Sequence, residues 1–152
     1  MAIQTAVVYF TKGGAAEIYA NAIADELAGF GHVVDIINLR QNDPSDLAAY
    51  DNVVVGTGVR IGMVYRRAKR FLKRDDLKDK RLAIFLASGI AIDEPERSEE
   101  KFLEPLIKKY GLNPVKCDAF PGYVPGADED SPETVDPTIA RAWAVELAKL
   151  WC

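Results

Sequence analysis

The feature that most constrains this chain is an alternation: short apolar runs rich in β-branched residues are separated by segments whose apolar residues recur three and four apart. Ile3 to Phe10 is the first such run, and Thr11-Lys12-Gly13-Gly14 ends it in a tight turn. From Ala15 to Ala28, Ala20, Ile23, Ala24 and Leu27 share one helical face while Glu17, Asn21 and Asp25 form the polar row opposite. Gly29 and Gly31 then stop the helix. The pattern continues with strands at Val33 to Leu39, Val53 to Gly56 and Leu82 to Ala87, and with a helix at Val64 to Lys73. The connection through Asp43-Pro44-Ser45 to Tyr50 has room for only a short helix.

A later helix is predicted from Glu96 to Tyr110, with Phe102, Leu103, Leu106, Ile107 and Tyr110 on its apolar stripe. Pro105 inside that stripe is expected to kink it, because proline removes a donor and its ring strikes the preceding turn. Pro114 to Phe120 supplies a fifth strand. The last helix opens with Asp136 as N-cap and Pro137 in its first turn, and Ile139, Trp143, Leu147 and Leu150 are its expected buried face. Five short strands separated by helices imply an α/β protein with an all-parallel sheet, since right-handed crossovers lay a helix on each face. At 152 residues and 49% hydrophobic content the chain fits one domain with a continuous core.

Several functions are excluded on composition. A net charge of −4 with both signs dispersed predicts no nucleic-acid partner. No apolar run reaches the roughly 18 residues that would span a bilayer, so membrane contact is expected to be peripheral at most. The N-terminus enters a strand without a leader-like pattern, which predicts a cytoplasmic protein. Cys117 and Cys152 lack CxxC spacing and read as free thiols, and His32, the only histidine, reads as a solvated turn residue. Neither a metal site nor a histidine-based catalytic dyad is indicated.

In an open parallel sheet, ligands bind at the carboxyl edge of the strands where the strand order reverses. The loops expected there are Thr11 to Ala16, Thr57 to Tyr65, Ser88 to Pro95 and Pro121 to Val135. The first runs into a helix N-terminus that can hold an anion, although Gly13 and Gly14 also suit plain tight packing. Gly56-Thr57-Gly58-Val59-Arg60-Ile61-Gly62 places three glycines within seven residues, an arrangement open to a flat ligand. Ser88-Gly89 repeats the device one strand over.

These segments resemble the flavodoxin superfamily, most nearly the flavodoxin-domain group that includes the bacterial menaquinone-dependent protoporphyrinogen oxidases. The resemblance rests on Tyr9-Phe10-Thr11-Lys12-Gly13-Gly14-Ala15-Ala16-Glu17-Ile18, at the family's FMN phosphate loop, and on Val55 to Gly62, which carries a small-x-Ile/Val-Arg-x-Gly pattern. It implies a flavodoxin-like three-layer sandwich with strand order 2-1-3-4-5. It also implies FMN as cofactor: Thr11, Lys12, Gly13, Gly14, Ala15 and Ala16 would hold the phosphate, and Thr57, Gly58, Val59, Arg60, Ile61 and Gly62 with Ser88, Gly89, Ile90 and Ala91 would flank the ring. Tyr65 and Tyr123 are the aromatics available to stack on it, or are plain loop aromatics. Gly58 or Gly62 would offer the carbonyl that adjusts to the redox state, and Arg60 would stabilise an anionic reduced ring or bind a substrate carboxylate. Phosphate loops of the family present several hydroxyls, whereas Phe10 and Ala16 leave only Thr11 here, each lost hydrogen bond being worth about 0.5 to 1.5 kcal/mol.

A receiver domain would need acidic residues where Thr11-Lys12 stands, a nicotinamide-binding Rossmann domain would need GxGxxG, and the same loop excludes a P-loop NTPase. Two classes remain. One is an FMN-dependent redox protein serving a redox partner protein or a small-molecule substrate; the other is a flavodoxin-like domain that has lost FMN and acts as a binding or assembly module. Arg66, Arg67, Lys69, Arg70, Lys73 and Arg74 make the helix after the second loop basic, for docking an acidic partner, lipid or carboxylated substrate, or simply as a solvated face. The acidic stretch from Asp128 to Glu133 lies in the last loop as a lid, a recognition surface or a solvated segment.

Overall fold

The computed structural model describes residues 2–60, 62–122 and 134–151, with the side chain of Arg60 outside that set. Its frame is a parallel sheet of β1 (Gln4–Phe10), β2 (Val33–Asn38), β3 (Asn52–Arg60), β5 (Arg81–Ser88) and β6 (Lys116–Pro121), in the order β2-β1-β3-β5-β6. Counting these five alone, the order is the expected 2-1-3-4-5. The sixth strand, β4 (Met63–Val64), is a short antiparallel addition to β3.

Period-two alternation divides the core. Val7 and Tyr9 point to the face covered by α1 (Ala15–Gly29) and α5 (Pro137–Leu150), while Ala6, Val8 and Phe10 point to the face covered by α2 (Arg66–Leu72) and α4 (Glu104–Tyr110). On the first face Phe85 stacks on Phe120 at 5.6 Å, with Trp143 and Tyr19 edge-on to both rings. Gly56 lies directly beneath this cluster: a Cβ there would sit 1.9 Å from Phe85 Cζ. The glycine is therefore required by packing.

Four local expectations are corrected. The third strand runs four residues past Gly56, because Val59 and Arg60 pair with Val64 and Met63, and Gly62 turns the hairpin at φ +70°. The following helix consequently starts at Arg66. The helix around Pro105 is divided into α3 (Pro95–Ser98), a π turn over Glu99–Leu103 and α4, so the widened turn precedes the proline and accommodates its ring and missing donor. In α5, Asp136 caps Thr138 N at 3.0 Å as expected, but Ile139 and Leu150 are 40% and 55% exposed. Trp143 and Leu147 are buried as expected, and Ala140, Ala144, Ala148 and Trp151 complete the stripe in place of Ile139 and Leu150.

The fourth correction concerns His32. It is buried, and its Nδ1 lies 2.8 Å from the hydroxyl of Thr5. Burial, followed by the nearby positive charge of Arg81, lowers its pKa below the ordinary imidazole value. Residues 39 to 51 form turns without a helix. Arg67 donates to the carbonyls of Leu39 and Arg40, and Arg74 reaches Asp43, Pro44 and Asp76, so two of the six basic residues pin this connection.

Candidate functional site

β1 lies between β2 and β3, and the chain leaves it first to one side and then returns on the other. The strand order reverses there, and the crevice for a ligand opens at the carboxyl ends of β1 and β3. Both loops meet at that point. An ideal Cβ on Gly58 would lie 3.3 Å from Tyr65 Cε2 and 3.7 Å from Thr11 Oγ1.

The first loop is built around Thr11 and Gly14. The buried Thr11 hydroxyl accepts from Gly14 N at 3.0 Å, and Gly14, at φ +94°, turns the chain into α1. Gly14 is the N-cap and has no side chain to satisfy the helix, so the first-turn N–H groups of a 15-residue helix face the loop uncapped. Lys12 is exposed beside them, its Nζ 6.0 Å from the ring centre of Tyr65. Ala15 and Ala16 are buried in the core beneath, and Phe10 is buried with its ring edge-on to Tyr65 at 4.9 Å. These three side chains serve packing, which leaves the backbone, Thr11 and Lys12 to face an anion.

The second loop is a hairpin rather than an open glycine-rich loop. Thr57 pairs with Phe10 and Leu86, and Gly58 with Ala87, while the Thr57 hydroxyl donates to Gly58 O at 2.9 Å. Val59 is half-buried against Val64. Of the two carbonyls expected to adjust, that of Gly58 is held, and Gly62 in the turn is free of the ladder. Tyr65 stands at the N-terminus of α2, between Phe10 and the open crevice.

In the third loop Ser88 turns inward: its hydroxyl meets Ser98 Oγ at 2.6 Å and accepts from Ala91 N at 3.2 Å. This closes a 3-10 turn at Ile90–Ile92 and leaves Gly89 and Ile90 half-buried at the edge. Gly122 N donates to Ser88 O at 2.8 Å and ties the end of β6 to this turn. Ile61, Tyr123, the Arg60 side chain and the acidic stretch from Asp128 to Glu133 lie outside the described residues.

Sequence reasoning missed the tyrosine that locks these parts together. Tyr19, fully buried in α1, donates to Pro121 O and accepts from Asp136 N, so one hydroxyl joins the helix of the first loop to both flanks of the last. A lone hydroxylated aromatic on an otherwise aliphatic helix face was the available signal. Cys117 is a half-buried free thiol that burial pushes up to about 12, which makes it a poor nucleophile. Among the described residues no cluster could hold a metal ion, and no helix is long and apolar enough to cross a membrane.

Beside the crevice, a groove of about 770 Å³ runs between α2 and α4. Lys12, Tyr65 and Met63 form its near end, and Lys109 and Tyr110 contribute from the opposite wall.

The comparisons agree with this geometry. Oxidised Flavodoxin 2 from Bacillus cereus has the same fold, with a TM-score of 0.68 at 20% identity over 96% of this chain and 98% of that one. Oxidised Flavodoxin 1 from the same organism gives 0.69 at 16% identity, covering 96% and 97%. A flavo di-iron protein variant from Thermotoga maritima matches at 0.64 and 15% identity, covering 96% of this chain but 35% of the larger one. No curated protein sequence matches significantly. A model of the flavodoxin domain matches residues 6–127. With four-fifths of its length so matched, the chain belongs to the flavodoxin domain family.

Proposed function

We propose that this protein binds FMN and transfers electrons, with the phosphate at the start of α1 and the flavin ring between the β3–β4 hairpin and the turn after β5. The observation that carries the reading is the uncapped N-terminus of α1 at the point of strand reversal, behind a left-handed Gly14. A doubly charged phosphate suits that position, because unpaired N–H groups and the helix dipole favour an anion. Lys12 adds a positive charge and Thr11 fixes the loop, so the residues present fit the group even without the further hydroxyls that Phe10 and Ala16 replace. Gly58 leaves space at the crevice mouth, and Tyr65 supplies an aromatic edge. FMN, when bound, would supply a one- or two-electron redox centre whose potential the surrounding protein sets.

The narrower affinity with the protoporphyrinogen-oxidase-like group adds the proposal that the bound flavin serves an oxidoreductase reaction. Titration of purified protein with FMN, followed by quenching of flavin fluorescence, tests the common core of these readings. Saturable one-to-one binding supports it. No binding at about 100 μM, where even a weak site of about −5.5 kcal/mol would be half filled, sinks it in favour of a flavin-free binding module. With FMN bound, a stable one-electron stage during reductive titration marks a carrier, and two-electron reduction driven by a substrate marks an enzyme.

A further inference from the structure

The basic helix has a partner wall that the sequence did not reveal. The groove between α2 and α4 is lined by Lys12, Arg66, Lys69, Arg70, Lys73 and Lys109, which come from three separate elements. Among the described residues none of the six has a carboxylate within salt-bridge distance, in contrast to Arg74 and Lys116, which are paired. Gathering six unpaired cations in one concavity costs mutual repulsion, and it occurs on a chain whose overall charge is −4. An anionic occupant would relieve that repulsion.

The shape and chemistry of the groove select among anions. The lining also carries apolar and aromatic side chains, Leu106, Tyr65, Tyr110 and the 61%-exposed Met63. Lysines 73 and 109 lie over the Tyr110 ring at 5.7 and 5.8 Å. Flexible cations interleaved with apolar and aromatic side chains in a groove between two helices match an acidic protruding segment carrying some apolar side chains. One end of the groove is Tyr65, whose ring also borders Gly58. An occupant would therefore stand next to the proposed cofactor edge.

We propose that the α2–α4 groove is the docking surface for an acidic redox partner protein. The redox character of the partner rests on the proposed electron-transfer function, whereas the charge recognition stands on the groove alone. Lysine-rich contacts of this kind favour fast, salt-sensitive encounter over tight residence.

The test uses the full chain and a fluorescein-labelled decaglutamate peptide, read by anisotropy, and needs no flavin, so its outcome is separate from that of the FMN titration. Saturable binding is expected at about 20 mM salt, weakening about tenfold by about 200 mM. Lys69→Glu/Lys73→Glu/Lys109→Glu should weaken it at least about tenfold, while Lys78→Glu/Lys101→Glu/Lys149→Glu, which changes net charge equally at exposed positions outside the groove, should weaken it less than about threefold. If the groove triple fails to fold, the corresponding lysine-to-glutamine triple takes its place, with the same ordering expected. Absence of binding at low salt, or equal loss in both triples, overturns the proposal. So does groove-dependent binding to phosphatidylcholine vesicles containing phosphatidylserine when the peptide does not bind, which would identify a lipid surface instead.

Discussion

Gly56→Ala isolates what the sequence could not separate, a glycine needed by the core from one needed by the site. The added Cβ would lie 1.9, 2.3 and 2.5 Å from three atoms of the Phe85 ring. Carbon atoms rest at about 3.5 to 4.0 Å, so the ring would have to retreat by roughly 1.5 to 2 Å. It has nowhere to go, being fully buried and enclosed by Phe120, Trp143 and Tyr19. Overpacking of this kind costs about 1 to 3 kcal/mol, and the roughly 0.5 to 1 kcal/mol that alanine returns by restricting the unfolded chain offsets only part of it. With a 1.9 Å approach the cost falls at the upper end of that range, so the net loss of about 2 kcal/mol corresponds, for a chain of this size, to a fall of about 4 to 8 °C in thermal midpoint. Urea denaturation should show a lower midpoint with an unchanged slope. Phe85→Leu removes the obstructing ring, so the double variant should be more stable than the sum of the single losses by about 1 kcal/mol or more. An unchanged midpoint for Gly56→Ala, or strict additivity in the double variant, would refute the packing argument.

Gly58→Ala should behave in the opposite way: its Cβ meets only Tyr65 and Thr11 at 3.3 and 3.7 Å, so the thermal midpoint should stay near wild type while FMN affinity falls about tenfold or more, and unchanged affinity would move the ring elsewhere. Burial, then the Asp118 carboxylate, raises Glu99 to about 7. The folded state thus disfavours ionised Glu99, a penalty absent below its unfolded value of about 4.5 and complete above 7; Glu99→Gln should raise the urea midpoint at pH 8 and not at pH 4.5. For His32 the folded pKa is lowered, so the unfolded chain takes up the proton first and stability is lost as pH falls through about 6.5; His32→Asn should flatten the decline in thermal midpoint between about pH 7.5 and 5.5, and an unaltered decline would assign it to other groups.

The strands were legible because a buried parallel strand has to be apolar along its length, and Val53-Val54-Val55 or Leu82 to Ala87 can be little else; their order came only with the resemblance to the flavodoxin superfamily. The N-cap at Asp136 was legible because capping is a local rule. Whatever depended on a partner distant in sequence was not. His32 reads as a turn residue until Thr5, 27 residues earlier, offers it a hydrogen bond. Gly56 and Gly58 look alike until Phe85 is placed under one and Tyr65 beside the other. The end of the buried stripe of α5 depended on Trp151, the C-cap aromatic that takes the core position the pattern had given to Leu150. The basic helix was visible, but Lys109 and the opposite wall were not, since nothing in the sequence says that α4 faces α2.

The four edge loops are not held alike, and the difference assigns them different work. The loops after β1 and β5 and the two described ends of the loop after β6 are tied together by polar contacts that are buried or partly buried: Tyr19 to Pro121 and Asp136, Gly122 to Ser88, Thr134 to Gly122, Ser88 to Ser98. Breaking the buried Ser88–Ser98 contact would strand a hydroxyl away from water, and the partly buried ones add to the hold on the described part of that side. Among the described residues the loop after β3 is held by two antiparallel pairs, the Thr57 hydroxyl on Gly58 O, and the contacts of Tyr65 with Phe10 and Lys12, with its turn at Gly62. A rigid anion site needs the first arrangement, because its N–H groups must already point inward when the phosphate arrives. A proposed redox centre that changes charge would call on a backbone segment outside the ladder, and Gly62, at φ +70°, is the described residue of the hairpin that lies there. The basic groove begins where Lys12 of the first loop and Met63 and Tyr65 of the second come together, so a docked partner would touch both the proposed phosphate loop and the hairpin.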